Sequence, residues 1–345
     1  MLQKRKLDIK TLPFEIVHYS DESLKIFSFH RKMTFIKDGS ILDLKAPFVL
    51  LDIFGFNRIL RRLFRLDKCN IFPLDLYGSE FLLFRHKMIY KYSQGKVKSK
   101  INLGAGRNIL FNPLCKTPDG RIFFGEYSPN RKRTSVNIYA SDDKGDNWYI
   151  IYTIPQKKIK HIHGIFYDSF SDSLWITTGD ENGECYIIKT DNNFSKLEYL
   201  GDGSQLWRTC NLFFQEDQVV WLMDSPDEHP YVILLSRNDN KISKGNRLPG
   251  PVIYSKQFDE NTFLAVTSAE PGKINPSNEV CLLLSKDIKK WECVKKFKKD
   301  IYPMSLFQFG NINFADGSQS SKKFYLSFQS IKLFDGMVGE CQILN

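Results

Sequence analysis

The sequence predicts an all-β chain: a β-propeller of four-stranded blades, six favoured over seven, with one short helix near the N-terminus. Three observations carry this expectation. Ser93, Ser141, Thr190, Ser236 and Ser285 each follow a short apolar run, Lys87–Tyr92, Val136–Ala140, Cys185–Lys189, Tyr231–Leu235 and Val280–Leu284, and the steps between them are 48, 49, 46 and 49 residues. A fixed period of this size marks propellers or solenoids, and β-rich units of this length suit four-stranded blades. A second pattern repeats in phase, a strand, a turn and another strand: Ile109–Leu114 with Arg121–Gly125, Gly164–Tyr167 with Ser173–Thr178, Cys210–Phe214 with Gln218–Met223, and Val252–Phe258 with Thr262–Thr267. The third is composition: 42% hydrophobic and 14% aromatic with 28 Phe, which suits strand packing and excludes global disorder.

Taken in order, residues 1–46 form an N-terminal segment that is either a further, degenerate blade or a source of one or more closing strands, the second being favoured. Leu24–Phe29 and Met33–Ile36 read as strands around the turn at Asp38-Gly39. Residues 47–66 break the β pattern. Arginines at 58, 61, 62 and 65 fall opposite Phe56, Ile59, Leu60 and Leu63, which is helical spacing. Such a helix either turns its arginines to water while packing its apolar face inward, or lies on a membrane and meets anionic headgroups through 56–66. Residues 67–345 are the propeller proper. Its last unit offers three strands, Leu306–Phe314, Lys323–Phe328 and Val338–Leu344, so an N-terminal strand completes the sheet and removes an open edge.

The tip at Ser141-Asp142-Asp143-Lys144-Gly145-Asp146-Asn147-Trp148 is the fullest of the five. Asp143 can accept backbone N–H groups, Gly145 supplies a left-handed position, and Trp148 returns to the apolar layer. Ser285-Lys286-Asp287-Ile288-Lys289-Lys290-Trp291 is one residue shorter and lacks the glycine; Thr190-Asp191-Asn192-Asn193-Phe194 and Ser236-Arg237-Asn238-Asp239 are fainter versions. The octamer resembles the Asp box, or BNR repeat, of sialidase-like β-propellers, over roughly residues 70–345. In that family the boxes join the third and fourth strands of several blades and are structural. The resemblance implies glycan chemistry: sialidases hold a sugar carboxylate with three arginines and use a Tyr/Glu nucleophile pair and an Asp acid. No Arg-Ile-Pro motif stands near the N-terminus of this chain. Histidine, arginine and tyrosine together also resemble the equipment of propeller-shaped polysaccharide lyases. There, arginine neutralises a uronate and His/Tyr moves protons.

The formal net charge is +10, which suits an anionic partner. An acidic glycan is favoured over nucleic acid, for which no binding motif is present. The seven cysteines form no C-x-x-C pair and no metal-ligand spacing, so they read as small buried hydrophobes in a reducing compartment. No apolar run of signal-peptide or transmembrane length follows the basic N-terminus, and a cytoplasmic monomer without metal or cofactor is expected.

The repeat places comparable positions of successive units at one edge. Arg107, His161 and His163, Arg208, Tyr254 and Gln308 open first strands, and Glu126, Asp180, Asp224 and Glu270 end second strands, 54, 44 and 46 residues apart. Alternation puts His161 and His163 on one face with Ile162 on the other. Expected catalytic residues are His163, His161, Arg208, Asp180, Asp224 and Tyr254. The histidines or Tyr254 move protons, Arg208 clamps a carboxylate, and the carboxylates act as acid and base or bind hydroxyls. Arg107, Glu126, Tyr127, Gln205, Trp207, Glu270 and Gln308 are expected to bind substrate, the aromatics by stacking on sugar faces. The expected function is cleavage of an acidic polysaccharide or oligosaccharide, by a sialidase-like hydrolase or a uronate-type lyase. The alternative is a non-catalytic glycan-binding or scaffold protein.

Overall fold

A computed structural model describes residues 5–75, 77–103, 114–275 and 277–344. Its strands assemble into seven four-stranded antiparallel sheets, the organisation of a seven-bladed β-propeller. The expected six is therefore one too few. Lys6–Leu12 does pair with Met337–Leu344, from Lys6 opposite Leu344 to Leu12 opposite Val338, and so completes the C-terminal sheet. Residues 16–45 make a further blade of their own: Ile16–Ser20, Leu24–Phe29, Lys32–Lys37 and Ser40–Lys45. The strand Ser40–Lys45 carries little sequence signal because it is exposed at every position but Leu44, which is half-buried, so hardly any alternation is imposed on it.

Burial falls across each blade. The second strands Ser173–Gly179 and Thr262–Thr267 are buried at every position, whereas fourth strands such as Lys96–Asn102 are largely exposed. All five Ser/Thr tips end third strands, at Ser93, Ser141, Thr190, Ser236 and Ser285. In the full octamer, Ser141 Oγ donates to Asp143 at 2.9 Å and accepts from Gly145 N at 2.7 Å. Asn147 N donates to Asp143 at 2.8 Å, and Gly145 sits at φ +82°. The shortened version at 285–291 keeps the aspartate as acceptor, from Lys290 N at 2.7 Å, but places Ile288 at φ 60°, where a β-branched residue is strained.

The described residues fall into two compact units, Met1–Phe81 with Tyr254–Asn345, and Leu82–Ile253. In the first, an apolar core gathers Leu264, Leu282, Ile312, Phe314, Phe324 and Phe328. In the second, Phe123, Ile138, Ile162, Leu174 and Ile176 form one core, and Trp175, Trp207, Trp221 and Ile233 belong to another.

Residues 47–66 form a 3₁₀ turn, Leu50–Phe54, and an α-helix, Arg58–Phe64, capped by Asn57 Oδ1, which accepts from Ile59 N at 2.8 Å. Its polarity is largely the reverse of the expectation. Three of the four arginines face the protein, while the C-cap Arg65 is exposed: Arg58 meets Asp67 and Asp335, Arg61 meets Glu15 and Asp67, and Arg62 meets Asp300 at 2.6 Å. The apolar side chains face water, Leu50 76% and Phe56 79% exposed, with Ile53, Ile59, Leu63 and Phe64 also exposed. Four carboxylates on neighbouring segments decide this, since buried acids need cations more than the short helix needs its apolar face covered. Removing one partner of such a network leaves the others uncompensated. Arg61→Ala should therefore cost about 3–5 kcal/mol in urea unfolding, against less than about 1 kcal/mol for Phe56→Ala on the outer face.

Candidate functional site

The second unit gathers five of the expected catalytic side chains on two adjoining blades. His161 and His163 open the first strand of one, His161–Asp168; Asp180 follows its second strand, Ser173–Gly179. Arg208 and Asp224 come from the next blade, where Asp224 N donates to Arg208 O at 3.0 Å. The pairing of the histidine strand slips between Ile162 and Gly164, so His163 is the extra residue of a bulge. A bulge re-aims one side chain. Here it brings the two imidazoles, with ring centres 5.0 Å apart, to a 3.1 Å approach between their Nε2 atoms.

Both histidine rings are fixed from behind. His161 Nδ1 donates to the Ser128 carbonyl at 2.7 Å, and His163 Nδ1 donates to the Thr209 carbonyl at 3.0 Å. Carbonyl oxygen only accepts, so each Nδ1 carries the proton and each Nε2 faces inward. Asp180 Oδ1 lies 3.0 Å from His163 Nε2 and 3.4 Å from His161 Nε2. Its other oxygen takes Lys160 Nζ at 2.6 Å, and its carbonyl accepts from Gln205 Nε2 at 2.7 Å. Gly179 leaves room for this: a Cβ there would lie 2.9 Å from His163 Cε1.

Burial and charge divide the two aspartates. Burial alone would push Asp180 up, yet its contacts with His161 and His163 hold it well below the usual carboxylate range. Burial raises Asp224, with the Arg208 charge opposing. Burial also lowers His161, in spite of its contact with Asp180, and drives the Cys210 thiol far up. Arg208 reaches Asp180 Oδ1 and Asp224 Oδ2, each at 3.5 Å, and Cys210 Sγ lies 3.3 Å from Asp224.

Other expected residues have different placements. Glu126 turns its carboxylate onto its own hairpin, accepting from Asn137 N at 2.9 Å and Tyr139 Oη at 2.9 Å. Its carbonyl accepts from Ile162 N at 3.0 Å, which anchors the histidine strand. Gln205 acts through Asp180 and receives Ser225 Oγ at 2.8 Å. Trp207 is buried, packed 5.3 Å from Trp221 with Gly201 under its ring, so the sugar-stacking role expected of it has no exposed face. Tyr127 is partly exposed and stands 4.3 Å from the His161 ring. Tyr254, Glu270 and Gln308 belong to the other unit: Tyr254 packs on its core, and the Glu270 carbonyl accepts from Asn275 at 2.8 Å. Arg107 and the strand expected from Ile109 lie outside the described residues. Sequence reasoning missed Lys160 and Cys210. Lys160 immediately precedes the His-x-His run, and that adjacency was the available signal.

No protein-family model matches the chain, and neither does any curated protein. Solved structures do. A chain of "Crystal Structure of Mitotic Checkpoint Complex" aligns at TM-score 0.57 and 9% identity, covering 98% of this chain and 93% of that one. "YCF48 bound to D1 peptide" aligns at TM-score 0.53 and 12% identity, covering 97% and 96%. The shared feature is the fold. This chain is a β-propeller. At such identities the likeness extends to nothing finer, and the sialidase-like resemblance of the octamer gains no support from it.

The cluster also has a structural role that can be measured. Arg208→Ala leaves Asp224 buried beside Asp180 without its cation, and should cost about 3–5 kcal/mol in chemical unfolding. Adding Asp224→Asn should recover much of that loss, since the uncompensated charge then disappears. Equal losses in the single and double variants would show that the pair is not coupled.

Proposed function

We propose that this propeller cleaves an acidic polysaccharide or oligosaccharide, by a lyase-type proton transfer centred on His161, His163 and Asp180. The observation that carries the reading is the convergence of two imidazole Nε2 atoms and a carboxylate oxygen, within 3.0–3.4 Å, on side chains fixed from behind. Imidazole can take a proton from carbon or return one to a leaving oxygen. A two-carboxylate hydrolase is less well served, because a glycosidase needs both acids at the scissile bond. In this cluster Asp180 is 22% exposed while Asp224 is 3% exposed and engaged by Arg208. Arg208 is engaged on both sides, by Asp180 and Asp224 at 3.5 Å each, so its role is to position the aspartates rather than to clamp a substrate carboxylate. Lys160, 21% exposed beside Asp180, and the net charge of +10 favour an anionic substrate.

The rival reading is a non-catalytic binding platform. It is favoured by the printed title of one structural neighbour, which describes a protein bound to a peptide. Turnover of a panel of acidic glycans separates the two. Lyase action leaves an unsaturated product that absorbs in the ultraviolet, and His163→Ala should slow it about 10²–10⁴-fold. Reducing ends without that absorbance would point to hydrolysis, and glycan bound but never shortened by the wild type would remove the enzyme reading.

We also propose that the exposed apolar face of residues 48–64 seats the chain on an anionic membrane. Phe48, Leu50, Leu51, Ile53, Phe56, Ile59, Leu63 and Phe64 are all exposed there. Apolar side chains concentrated like this mark an interaction surface, and the basic excess favours an anionic one. Insertion would occur through these side chains, since Arg58, Arg61 and Arg62 are held by carboxylates. The protein should co-sediment with phosphatidylglycerol-containing vesicles, and Phe56→Ser with Ile59→Ser should release it. Failure of the wild type to sediment would remove this surface.

A further inference from the structure

We propose that His161, His163 and Asp180 form a binding site for one divalent transition-metal ion, a two-histidine, one-carboxylate triad. The first argument is the direction of the lone pairs. Both Nδ1 protons are committed to backbone carbonyls, of Ser128 and Thr209. When both rings are neutral, two Nε2 lone pairs face each other across 3.1 Å, with Asp180 Oδ1 beside them. Three acceptors converging on one point repel unless a proton or a metal ion stands between them. A histidine that donates its other nitrogen to a carbonyl is the usual arrangement behind a metal ligand.

The second argument is size. The three donor atoms are separated by 3.0, 3.1 and 3.4 Å. An ion bound at about 2.1 Å requires neighbouring ligands about 3.0 Å apart in an octahedron and about 3.4 Å apart in a tetrahedron. The triangle spans that interval, and an ion would sit just off its plane. Two imidazoles and a carboxylate on one face suit Zn²⁺, Fe²⁺ or Mn²⁺ and leave further positions open. Asp180 is already held by Lys160 on Oδ2 and by Gln205 on its carbonyl, so Oδ1 is the oxygen left to ligate. Arg208 is the competing cation, 3.5 Å from Oδ1, but Asp224 holds it at the same distance on its other side.

Metal capture stands apart from the acidic-glycan substrate but replaces the proton-transfer role given above to His161 and His163, since rings that ligate an ion do not move protons. Its consequence for substrate rests on the glycan reading: a divalent ion at this place would neutralise the sugar carboxylate, a part that Arg208, held between Asp180 and Asp224, does not play. The cysteines are no part of the proposal, and Cys293, the one exposed thiol among the described residues, is removed as Cys293→Ser in every test protein.

Equilibrium dialysis of the full chain against Zn²⁺ or Mn²⁺, read by elemental mass spectrometry, should give one ion per chain. His161→Gln, His163→Gln and Asp180→Asn should each weaken binding at least about 10-fold. Added Zn²⁺ should raise the melting temperature of the parent and not of those variants. Should a variant fail to fold, pulsed electron paramagnetic resonance on Mn²⁺ in the parent decides the point, through coupling to imidazole nitrogen. No uptake by the parent, variants that bind as tightly as the parent, or Mn²⁺ without nitrogen coupling would each overturn the site. One ion bound through these residues, with no acidic glycan shortened, would overturn the glycan reading and leave the metal site standing. Glycan cleavage by a parent that takes up no metal would do the reverse.

Discussion

Charge taken out of water has to be answered inside the fold, and this requirement sets the position of the helix arginines and of Lys160 with Arg208. Around the N-terminal helix, Glu15, Asp67, Asp300 and Asp335 draw Arg58, Arg61 and Arg62 inward. The helix then has no choice but to leave Phe56 and Ile59 in water. The magnitudes favour that outcome: an unanswered buried carboxylate costs several kcal/mol, whereas an apolar side chain left exposed forfeits about 1.5–3 kcal/mol of burial. The same rule acts at Asp180 and Asp224. Lys160 and Arg208 are engaged by them, which is why neither this pair nor the helix arginines Arg58, Arg61 and Arg62 behave as a freely solvated basic patch.

Much of the blade organisation was legible because it rests on local rules repeated at a fixed step. Ser141, Thr190, Ser236 and Ser285 mark the ends of third strands, since a side-chain acceptor and a left-handed residue must follow wherever the chain reverses. The seventh blade was legible only as the less favoured of two readings of residues 1–46. Ser40–Lys45 is exposed except at half-buried Leu44 and so leaves little period in the sequence. Helical spacing at 58–65 was readable, but its orientation was not. Amphipathicity states that two faces differ and says nothing of which one the partners want. That depended on Asp300 and Asp335, far away in the chain.

The cluster was legible to a similar depth. Strand starts and the ends of neighbouring strands share an edge, and that logic named His161, His163, Asp180, Arg208 and Asp224 before any coordinates. It could not tell a side chain facing the cluster from one turned onto its own hairpin, as Glu126 is, because both sit at the same register position. Nor could it foresee the bulge at His163. Alternation alone places two histidines on one face, one pleat repeat apart. Only the extra residue between Ile162 and Gly164 brings their Nε2 atoms into contact.

That contact constrains the chemistry more than the residue types do. With Nδ1 of both rings donating to carbonyls, two occupants of the space between the Nε2 atoms and Asp180 Oδ1 relieve the repulsion, a proton or a metal ion. A proton makes one ring an imidazolium, stabilised by Asp180 and opposed by burial, and leaves its neighbour as the base. A metal ion uses both rings as ligands and removes them from proton transfer, so a base would have to come from elsewhere, and partly exposed Tyr127, 4.3 Å from the His161 ring, is a candidate among the described residues. The two states share one geometry and exclude each other's mechanism. Occupancy of a single point, rather than the identity of any further residue, therefore decides whether this blade edge works by imidazole or by metal.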